Sequence, residues 1–370
     1  MPRLLLITPD YPPAHGGIQR TAHRLAVGVE GFDTRVVALA GPGSRAFDRS
    51  EGVSIRRVWA QPRLGAARNA ALNAVALAEA LRFAPDVTLA LHLVCSPAAA
   101  AIRRLRGART VQYFHAKEIG TKPRLAAFAA AQADFVVAVS AYTEELIRAT
   151  GVSPARMRRV SPGMDPPADP RALPGERPTV VTVARLEDRY KGHDVLMRAL
   201  ALVRERVPDV QWVVIGEGSL RAELEALARS LGVADAVRFL GALPDAERDA
   251  WLRRSDVFAM PSRLPGGALA GEGFGIVYME AAAYAKPVLA GNVGGAPDAV
   301  VDGETGLLVD PTDPLAVADA TVRLLLDERL ARRLGAAGAE RARGFAWPAV
   351  VERLQAVLLE AAAQGGRRGR

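Results

Sequence analysis

The chain has 370 residues and a mass of 39.2 kDa. Because one domain typically has about 150 residues, this length favours two domains. Half of the residues are apolar and 24% are charged, which excludes a mainly disordered chain. The single cysteine, Cys95, excludes an intramolecular disulfide and a multi-cysteine metal site. No run of about 18 uncharged apolar residues is present, and the apolar run near Met1 is too short for a signal peptide, so we expect a cytoplasmic protein.

The net charge of +8 is unevenly distributed. Residues 1–170 contain 22 basic and 13 acidic residues, whereas the remaining residues contain 26 and 27. An excess of positive charge in the N-terminal part favours contact with an anionic membrane surface or a phosphorylated acceptor. Arginine makes up 44 of the 48 basic residues, so a compositional bias explains the same excess. Nucleic acid is not an expected partner, because aromatic residues are only 5% and do not alternate with the basic ones.

Short apolar runs alternate with longer helical stretches in the first part of the chain. Helical patterns include 72–83 and 98–106. The apolar runs predict strands at 3–7, 34–40, 87–91, 110–114 and 135–139. Such alternation is typical of βα units around a parallel sheet. It predicts a Rossmann-like, doubly wound α/β domain over residues 1–165.

A proline-rich break follows this domain. Residues 161–178 contain six prolines and two glycines, which predicts a linker at 166–178. A second series of strands is predicted at 180–184, 211–215, 237–240, 257–260, 288–290 and 307–309. A second Rossmann-like domain is therefore expected over 179–347. A last helix, over about 348–363, could cross back to the first domain.

Two doubly wound domains are expected to bind ligands at the carboxyl ends of their strands, in the crevice between them. Gly16-Gly17 follows the first strand and allows backbone N–H groups to approach an anion closely. The pair does not fit the G-x-G-x-x-G pattern of a nicotinamide site, and a simple turn is its alternative explanation. His115 follows the strand at 110–114, where it could hydrogen-bond a sugar or polarise a hydroxyl. A purely structural histidine is the alternative.

Two cations follow the first strand of the second series. Arg185 and Lys191 lie in one loop and suit a diphosphate, with the arginine as a fork and the lysine as a mobile point charge. A solvated charged loop is the alternative, since Glu187, Asp188 and Arg189 are close by. The arrangement predicts a phosphate clamp.

The sharpest signal is the segment 271–281, in which Glu272 and Glu280 stand eight positions apart. A helix is expected to begin near Gly275, so that its first N–H groups face a phosphate. Glu272 would precede the helix and Glu280 would lie about one turn inside it, and carboxylates bind vicinal hydroxyls of sugars. The glycine-rich loop at 263–271 is expected to be mobile until a ligand binds.

Several motifs of other enzyme classes are missing from the sequence. The absence of Asp-x-Asp removes the usual ligands of a metal-held nucleotide sugar, so no metal is expected. The absence of G-x-x-x-x-G-K-[ST] and of G-x-S-x-G disfavours a P-loop NTPase and an α/β-hydrolase.

Together these motifs resemble the retaining glycosyltransferases of family 4, which have the GT-B fold. That fold has two Rossmann-like domains facing each other across a cleft. The matching segments are Gly16-Gly17, His115, 161–165, Arg185, Lys191, 215–218, Glu272, Glu280, 294–298 and 303–309. Within the family, the segments 11–19 and 258–280 look most like bacterial mannosyltransferases that use GDP-mannose to modify phosphatidylinositol mannosides. Lys117 departs from that group, which tends to carry a histidine there.

The resemblance implies a role for each candidate residue. Arg185 and Lys191 would neutralise the leaving diphosphate in place of a metal. Glu280 would hold the ribose and Glu272 the hydroxyls of the donor sugar, while His115 would contact the sugar or an acceptor hydroxyl. The remaining donor-binding positions would act largely through their backbone: Gly16, Gly17, Gly216, Phe274, Gly275, Ile276 and Val277.

The expected function is therefore a retaining transfer of a sugar, with mannose favoured, from a nucleotide-sugar donor, with GDP-mannose favoured. The expected acceptor is a hydroxyl of a lipid-linked molecule such as a phosphatidylinositol mannoside, with no cofactor required. The basic N-terminal part favours a peripheral location on the inner face of the membrane. The alternatives are a UDP-sugar-dependent enzyme acting on a soluble acceptor or another glycolipid, and a non-catalytic scaffold of the same fold.

Overall fold

The structure is a computed structural model that describes residues 1–14, 16–59, 65–265 and 271–365. Its contacts divide the chain into two compact units. The first unit comprises Met1–Gly163 and the C-terminal segment from Trp347, and the second comprises Met164–Ala346. Each unit has a parallel sheet flanked by helices, so the predicted α/β class is confirmed.

In the first unit, the described strands form one parallel sheet in the order β3-β2-β1-β4-β5-β6-β7. The strands are β1 (Arg3–Thr8), β2 (Asp33–Leu39), β3 (Ser54–Val58), β4 (Val87–Ala90), β5 (Arg109–Phe114), β6 (Phe135–Ala138) and β7 (Met157–Arg159). The helices of this part are α1 (Gly17–Gly28), α2 (Ser44–Arg49), α3 (Gly65–Phe83), α4 (Ser96–Arg106), α5 (Ala116–Thr121), α6 (Pro123–Gln132) and α7 (Ala141–Arg148).

The apolar sequence of β1 follows from its position inside the sheet. Leu5 and Ile7 pack into the core that includes α3 and α4. Leu4 and Leu6 face the opposite way, into the core that includes α1. Because helices cover both faces, the strand needs apolar residues at successive positions rather than at alternate ones.

The second unit has a parallel sheet of the same kind, in the order β10-β9-β8-β11-β12-β13. The strands are β8 (Thr179–Val183), β9 (Gln211–Ile215), β10 (Val237–Gly241), β11 (Val257–Met260), β12 (Val288–Gly291) and β13 (Gly306–Val309). The helices are α8 (His193–Arg206), α9 (Arg221–Ser230), α10 (Asp245–Arg254), α11 (Ile276–Ala282), α12 (Ala296–Ala299), α13 (Pro314–Leu326) and α14 (Glu328–Arg343).

The last helix, α15 (Trp347–Gly365), belongs to the first unit. Its apolar residues, among them Val350 and Leu354, join the core behind β1, β4 and β5. The Glu30 N–H donates to Gln355 Oε1 at 2.9 Å, and Arg158 pairs with Glu360 at 2.7 Å. The helix expected at about 348–363 therefore completes a domain whose strands all come from the other end of the sequence.

The proline-rich segment at 166–178 has no regular secondary structure. It nevertheless packs on the second unit, because the Leu173 N–H donates to the Arg253 carbonyl at 3.0 Å. The Arg253 guanidinium in turn donates to Asp169 at 2.7 Å. The contact division accordingly falls at Gly163 and not within this segment.

Two strands of the first sheet, β3 and β7, were absent from the predicted set. Both lie at edges of the sheet. Within the described ranges, every helix is too short or too polar to cross a lipid bilayer.

Candidate functional site

Arg185 lies at the carboxyl end of β8, where parallel-sheet domains bind their ligands. Its side chain is 70% exposed, with Asp188 at 3.5 Å and Glu187 at 3.8 Å as acidic neighbours. The backbone beside it is fixed by Gly216, whose φ is +146°. A Cβ on Gly216 would lie 1.9 Å from the Ala184 carbonyl oxygen, so this glycine permits a close approach between the two loops.

Lys191 and Glu272 form an ion pair in the second unit. Lys191 ends a 3₁₀ turn that follows β8, and Glu272 precedes α11. Their side chains are only 14% and 13% exposed. Burial alone would lower the pKa of the Lys191 ammonium, but the Glu272 carboxylate, together with Tyr190 and Asp188, outweighs burial and raises that pKa. The prediction of a mobile lysine is therefore wrong, because a buried carboxylate holds this side chain in place.

The segment around Gly275 has the sharp turn that its sequence predicts. Gly275 has a φ of +83°, and a Cβ there would lie 2.3 Å from the Tyr278 ring. Helix α11 begins directly afterwards, at Ile276. The Tyr278 hydroxyl donates to the Met260 carbonyl at 2.8 Å, which ties this helix to the end of β11. The turn thus places the backbone of residues 274–277 at the carboxyl edge of the sheet.

Glu280 lies inside α11 and is partly buried. Burial lowers the pKa of the nearby Arg248 guanidinium, but the carboxylates of Glu280, Asp249 and Asp245 together outweigh burial, so that the pKa is raised. The structure therefore gives the two glutamates different surroundings: Glu272 pairs with a lysine and Glu280 lies in the field of an arginine.

The start of the loop at 263–271 is anchored. Arg263 donates two hydrogen bonds to Asp194, at 2.8 and 2.9 Å, and its N–H donates to the Tyr190 carbonyl at 2.7 Å. The expectation that this loop is mobile concerns mainly residues 266–270, which lie outside the described residues.

In the first unit, Gly16 and Gly17 form the start of α1. A Cβ on Gly16 would lie 2.2 Å from Gln19 Oε1, whereas a Cβ on Gly17 would meet nothing within 4 Å. The Gln19 amide donates to Asp10 at 3.0 Å. Gln19 and Asp10 line a cavity of about 390 Å³ together with Arg68. Burial raises the pKa of Asp10, although Arg68 opposes the effect.

His115 lies directly after β5, as predicted, but its imidazole has an internal partner. Its Nε2–H donates to the Leu91 carbonyl at 3.2 Å. Burial lowers the pKa of this histidine to about 4, so that the ring is neutral at pH 7. The structure holds His115 as a neutral imidazole whose Nε2 proton is bound to a backbone carbonyl, and its contact with a sugar or hydroxyl stays a prediction.

Sequence reasoning missed Glu118, which lies in the first turn of α5 and is 6% exposed. Its carboxyl accepts the N–H of His115 at 3.1 Å and the N–H of Leu93 at 3.0 Å. The signal was available, since a glutamate three positions after the N-cap residue, here His115, is typical of a capping box.

Within the described ranges, no group of three or more histidine, cysteine, aspartate or glutamate side chains is arranged to hold a metal ion. The positive charge next to Glu272 is the ammonium group of Lys191.

Family models match both parts of the chain. The model described as Glycosyltransferase Family 4 matches residues 15–167, and the model described as Glycosyl transferases group 1 matches residues 168–341. A protein of Mycolicibacterium smegmatis, named GDP-mannose-dependent alpha-(1-6)-phosphatidylinositol monomannoside mannosyltransferase, is 37% identical and aligns with 90% of this chain and 92% of its own. The chain belongs to the family 4 glycosyltransferases. The predicted family and the prediction of an enzyme are confirmed.

A second relative is also named a glycosyltransferase, and solved structures share the fold of this chain. A D-inositol 3-phosphate glycosyltransferase of Corynebacterium diphtheriae is 38% identical over 60% of this chain and 54% of its own. Sucrose-phosphate synthase from Thermosynechococcus elongatus has a TM-score of 0.82 at 23% identity, covering 98% of this chain and all of that one. Anabaena HepE, solved with UDP and glucose, has a TM-score of 0.81 at 20% identity, covering 97% of this chain and all of that one. These structural likenesses confirm the predicted GT-B fold class.

Proposed function

We propose that this glycosyltransferase transfers mannose from GDP-mannose to a hydroxyl of a phosphatidylinositol mannoside. The observation that carries the proposal is the 37% identity, over nine-tenths of both chains, to a mycobacterial enzyme named for that donor and acceptor. A Mycobacterium tuberculosis relative of the same name is 36% identical over 92% of this chain and 93% of its own. The likeness thus extends through both units.

The second unit supplies the groups that this donor needs. Arg185 is exposed enough to bind a diphosphate, and Lys191 carries a raised pKa that keeps it charged. We assign Glu272 to the mannose hydroxyls and Glu280 to the ribose. The backbone of residues 274–277 and the loop at Gly216 lie at strand ends where donor phosphates and sugar can approach closely. With two cations assigned to the diphosphate, the proposal requires no metal and no cofactor.

The proposed reaction retains the configuration at the anomeric carbon. The bond between that carbon and the diphosphate oxygen breaks while a bond to the acceptor oxygen forms on the same face. The departing diphosphate oxygen accepts the acceptor's proton, and Arg185 and Lys191 stabilise the charge that develops there. We assign to His115, held as a neutral imidazole, a contact with the sugar or the acceptor hydroxyl.

We also propose that the first unit binds an anionic membrane surface through the end of α4. Arg104 and Arg106 are exposed there, and Leu105 between them is 63% exposed. Each basic residue near an anionic surface contributes about 1 kcal/mol. Sedimentation with phosphatidylserine vesicles tests this proposal, using Arg104→Glu/Arg106→Glu against a control that reverses two exposed charges of the second unit, Arg198→Glu/Arg229→Glu. Equal binding of both variants would contradict it.

A nucleotide panel tests the donor first. GDP, UDP, ADP and CMP are added without metal and then with magnesium, and Tm is recorded. A ligand at about 100 times its Kd stabilises the protein by about 2.7 kcal/mol, so a selective shift with GDP is the expected result. Transfer is then measured as mannose added to phosphatidylinositol monomannoside in vesicles. A selective shift with UDP would overturn the GDP-mannose assignment.

One relative favours a second candidate, a transfer to a soluble acceptor. The Corynebacterium diphtheriae protein is named for D-inositol 3-phosphate and is 38% identical over 60% of this chain. Transfer to inositol phosphate without any gain from vesicles would favour this candidate. Donor hydrolysis that disappears in Glu272→Gln would exclude a non-catalytic scaffold.

A further inference from the structure

A buried arginine of the first unit, Arg57 on the edge strand β3, lies outside the roles assigned above. Its side chain is only 5% exposed, whereas the preceding Arg56 is exposed. Successive residues of a strand point to opposite faces of the sheet, so Arg57 is the one that points into the unit. Because an arginine is almost never buried without partners, its contacts indicate what this side chain does.

The Arg57 guanidinium binds three segments that are separate in the sequence. Its Nε and Nη2 donate to the Asp48 carboxylate of α2, at 3.1 and 2.7 Å. Its Nη1 donates to the Leu39 carbonyl at the end of β2, at 3.0 Å. Nη2 also donates to the Pro12 carbonyl in the loop after β1, and the guanidinium carbon lies 5.2 Å from the centroid of the Tyr11 ring. One side chain thus joins the loop after β1 to the loop after β2.

These two loops form walls of the cavity of about 390 Å³ in the first unit. Tyr11 and Pro13 line it from the loop after β1, and Leu39 and residues 40–42 line it from the loop after β2. Tyr11 and Leu39 are both direct contacts of Arg57. Arg57 therefore holds the two walls of the cavity together.

The same cavity reaches the start of α1. The Gln19 amide of this helix donates to the Asp10 carboxylate of the loop after β1, at 3.0 Å. Through this bond, the loop is also tied to α1. The polar lining of the cavity, which includes Asp10, Gln19, Ser44 and Arg68, suits the hydroxyls and the phosphate of the proposed acceptor.

We propose that Arg57 is a positioning residue for the acceptor: it holds the loop after β1 against the loop after β2, so that the cavity keeps the shape that the acceptor requires. The proposal rests on the proposed function only for the identity of the acceptor. Asp48 balances the charge of Arg57, so the guanidinium acts through the backbone of the two loops and not as a ligand of the substrate. Lysine in its place would keep the charge but bind fewer of these partners, because an ammonium lacks the planar fork of a guanidinium.

The first test measures the two loops themselves and needs no substrate. Amide hydrogen exchange of the whole protein is compared between the wild type and Arg57→Lys. The N–H groups of Asp10, Gly41 and Ser44 are hydrogen-bonded within the two loops. We expect their exchange to become at least about tenfold faster in Arg57→Lys, because the loops are no longer joined.

The matched control is Arg35→Lys, in β2 of the same unit. Arg35 also pairs with a carboxylate, that of Glu79, at 2.7 Å, and lies over an aromatic ring, that of Phe83, at 4.3 Å. Neither Glu79 nor Phe83 is among the described residues that line the cavity. This variant should therefore leave exchange in both loops, and transfer to the acceptor, unchanged.

The second test measures mannose transfer with the acceptor concentration varied. Arg57→Lys should lower kcat/KM for the acceptor by about 100-fold, since a displaced wall misplaces the acceptor. The Kd for GDP should equal that of the wild type, because the groups assigned to the diphosphate lie in the second unit. Asp48→Asn leaves the bonds of Arg57 to the two carbonyls in place, so it should keep most of the wild-type kcat/KM even where its stability falls.

The two tests separate this inference from the proposed function. Unchanged exchange in both loops of Arg57→Lys would overturn the link between them, whatever reaction the enzyme performs. Faster exchange together with a kcat/KM equal to that of Arg35→Lys would overturn the positioning role. So would a loss in Asp48→Asn as large as that in Arg57→Lys, because the carbonyl bonds would then not be the cause.

A second variant keeps the inference testable if Arg57→Lys does not fold. Arg57→Met/Asp48→Leu removes the link without leaving a buried charge unpaired, and the same exchange and transfer measurements apply to it. If mannose is not transferred at all, kcat/KM is measured with whichever donor the nucleotide panel identifies.

Discussion

Lys191 and Glu272 are 81 positions apart in the sequence, yet their side chains form a buried ion pair. The pair joins the turn after β8 to the loop before α11, and both segments lie at the carboxyl edge of one sheet. In the proposed reaction, these two groups bind different parts of the donor, the diphosphate and the sugar. In that proposal, we expect donor binding to compete with a contact that the protein makes with itself.

We expect Lys191→Gln and Glu272→Gln each to lower the free energy of unfolding by about 1–3 kcal/mol, because each leaves a partly buried charge without its partner. The double variant should lose less than the sum of the two, by at least about 0.5 kcal/mol. Urea unfolding measures all four proteins. Both single variants should also lower kcat by about 100-fold or more, because each removes a charged contact with the donor.

The control for this double-mutant cycle is the ion pair between Arg189 and Glu223. It lies in the same unit, and its side chains are 61% and 52% exposed. Glu223→Gln should change stability by no more than about 0.5 kcal/mol. Strictly additive losses at Lys191 and Glu272 would contradict a coupled pair.

Arg185 should behave differently from Lys191, because its side chain is 70% exposed. Arg185→Gln is expected to leave the free energy of unfolding within about 0.5 kcal/mol of the wild type. The Kd for GDP should rise and kcat should fall by about 100-fold, since a group that stabilises the leaving diphosphate is lost. Arg185→Lys retains the positive charge but not the bidentate geometry of the guanidinium. It should therefore recover only part of the affinity for GDP and only part of kcat. Calorimetric titration with GDP that gives an unchanged Kd for Arg185→Gln would count against the phosphate assignment.

A substitution at Gly17 tests substrate binding without disturbing the fold. A Cβ at this position meets nothing within 4 Å, so Gly17→Ala should preserve stability or raise it by up to about 1 kcal/mol. If a substrate approaches this backbone closely, the added methyl group should lower kcat/KM by about tenfold or more. Gly52→Ala, which also meets nothing within 4 Å in the same unit, should leave activity unchanged. Equal activity of the two variants would remove Gly17 from the candidate site.

His193 should make the protein sensitive to acid. It is 3% exposed, stacks on Trp212, and neither ring nitrogen has a hydrogen-bond partner within the described structure. Burial, together with Lys191, lowers its pKa to about 4 from the unfolded value of 6.5. The folded state therefore disfavours protonation of His193. The stability that the neutral ring contributes is complete above pH 6.5 and is lost as the pH falls towards 4.

Protonation of His193 should thus lower the free energy of unfolding by roughly 3 kcal/mol. In His193→Phe the loss should disappear, and stability at pH 7 should be unchanged or higher, because two unpaired nitrogens are removed. Urea unfolding at pH 7 and pH 5 measures both effects. The control is His23→Gln, which changes a partly exposed histidine paired with Glu51. An equal loss of stability between pH 7 and 5 in His193→Phe and the wild type would exclude His193 as the acid-sensitive group.

The sequence allowed most strands to be predicted, because buried parallel strands are continuous apolar runs. All six strands of the second sheet lie where they were expected. The two strands that were not predicted, β3 and β7, lack a continuous apolar run of this kind. Ser54–Val58 contains two adjacent arginines and is half exposed, and Met157–Arg159 has only three residues. Edge strands of this type bury too little apolar surface to leave a pattern in the sequence.

The candidate site was predictable as separate residues but not as a set of contacts. Lys191 and Glu272 could each be selected from residue type and position, yet their pairing depends on how two loops meet across the sheet edge. The Leu91 partner of His115 is likewise a backbone carbonyl on a neighbouring strand end, which no residue type reveals. Glu118 has a capping signal, but its burial depends on the turn after β4.

The position of α15 has a consequence for synthesis of the protein on the ribosome. All strands of the first sheet are translated before residue 160, but the helix that covers Val87, Val111 and their neighbours comes after the entire second unit. The nascent first unit must therefore remain incomplete while about 180 further residues are translated, and at typical rates this takes about 10–40 s. We expect chains that stop before Trp347 to expose this apolar face and to be recognised by chaperones, even though the second unit in them is complete.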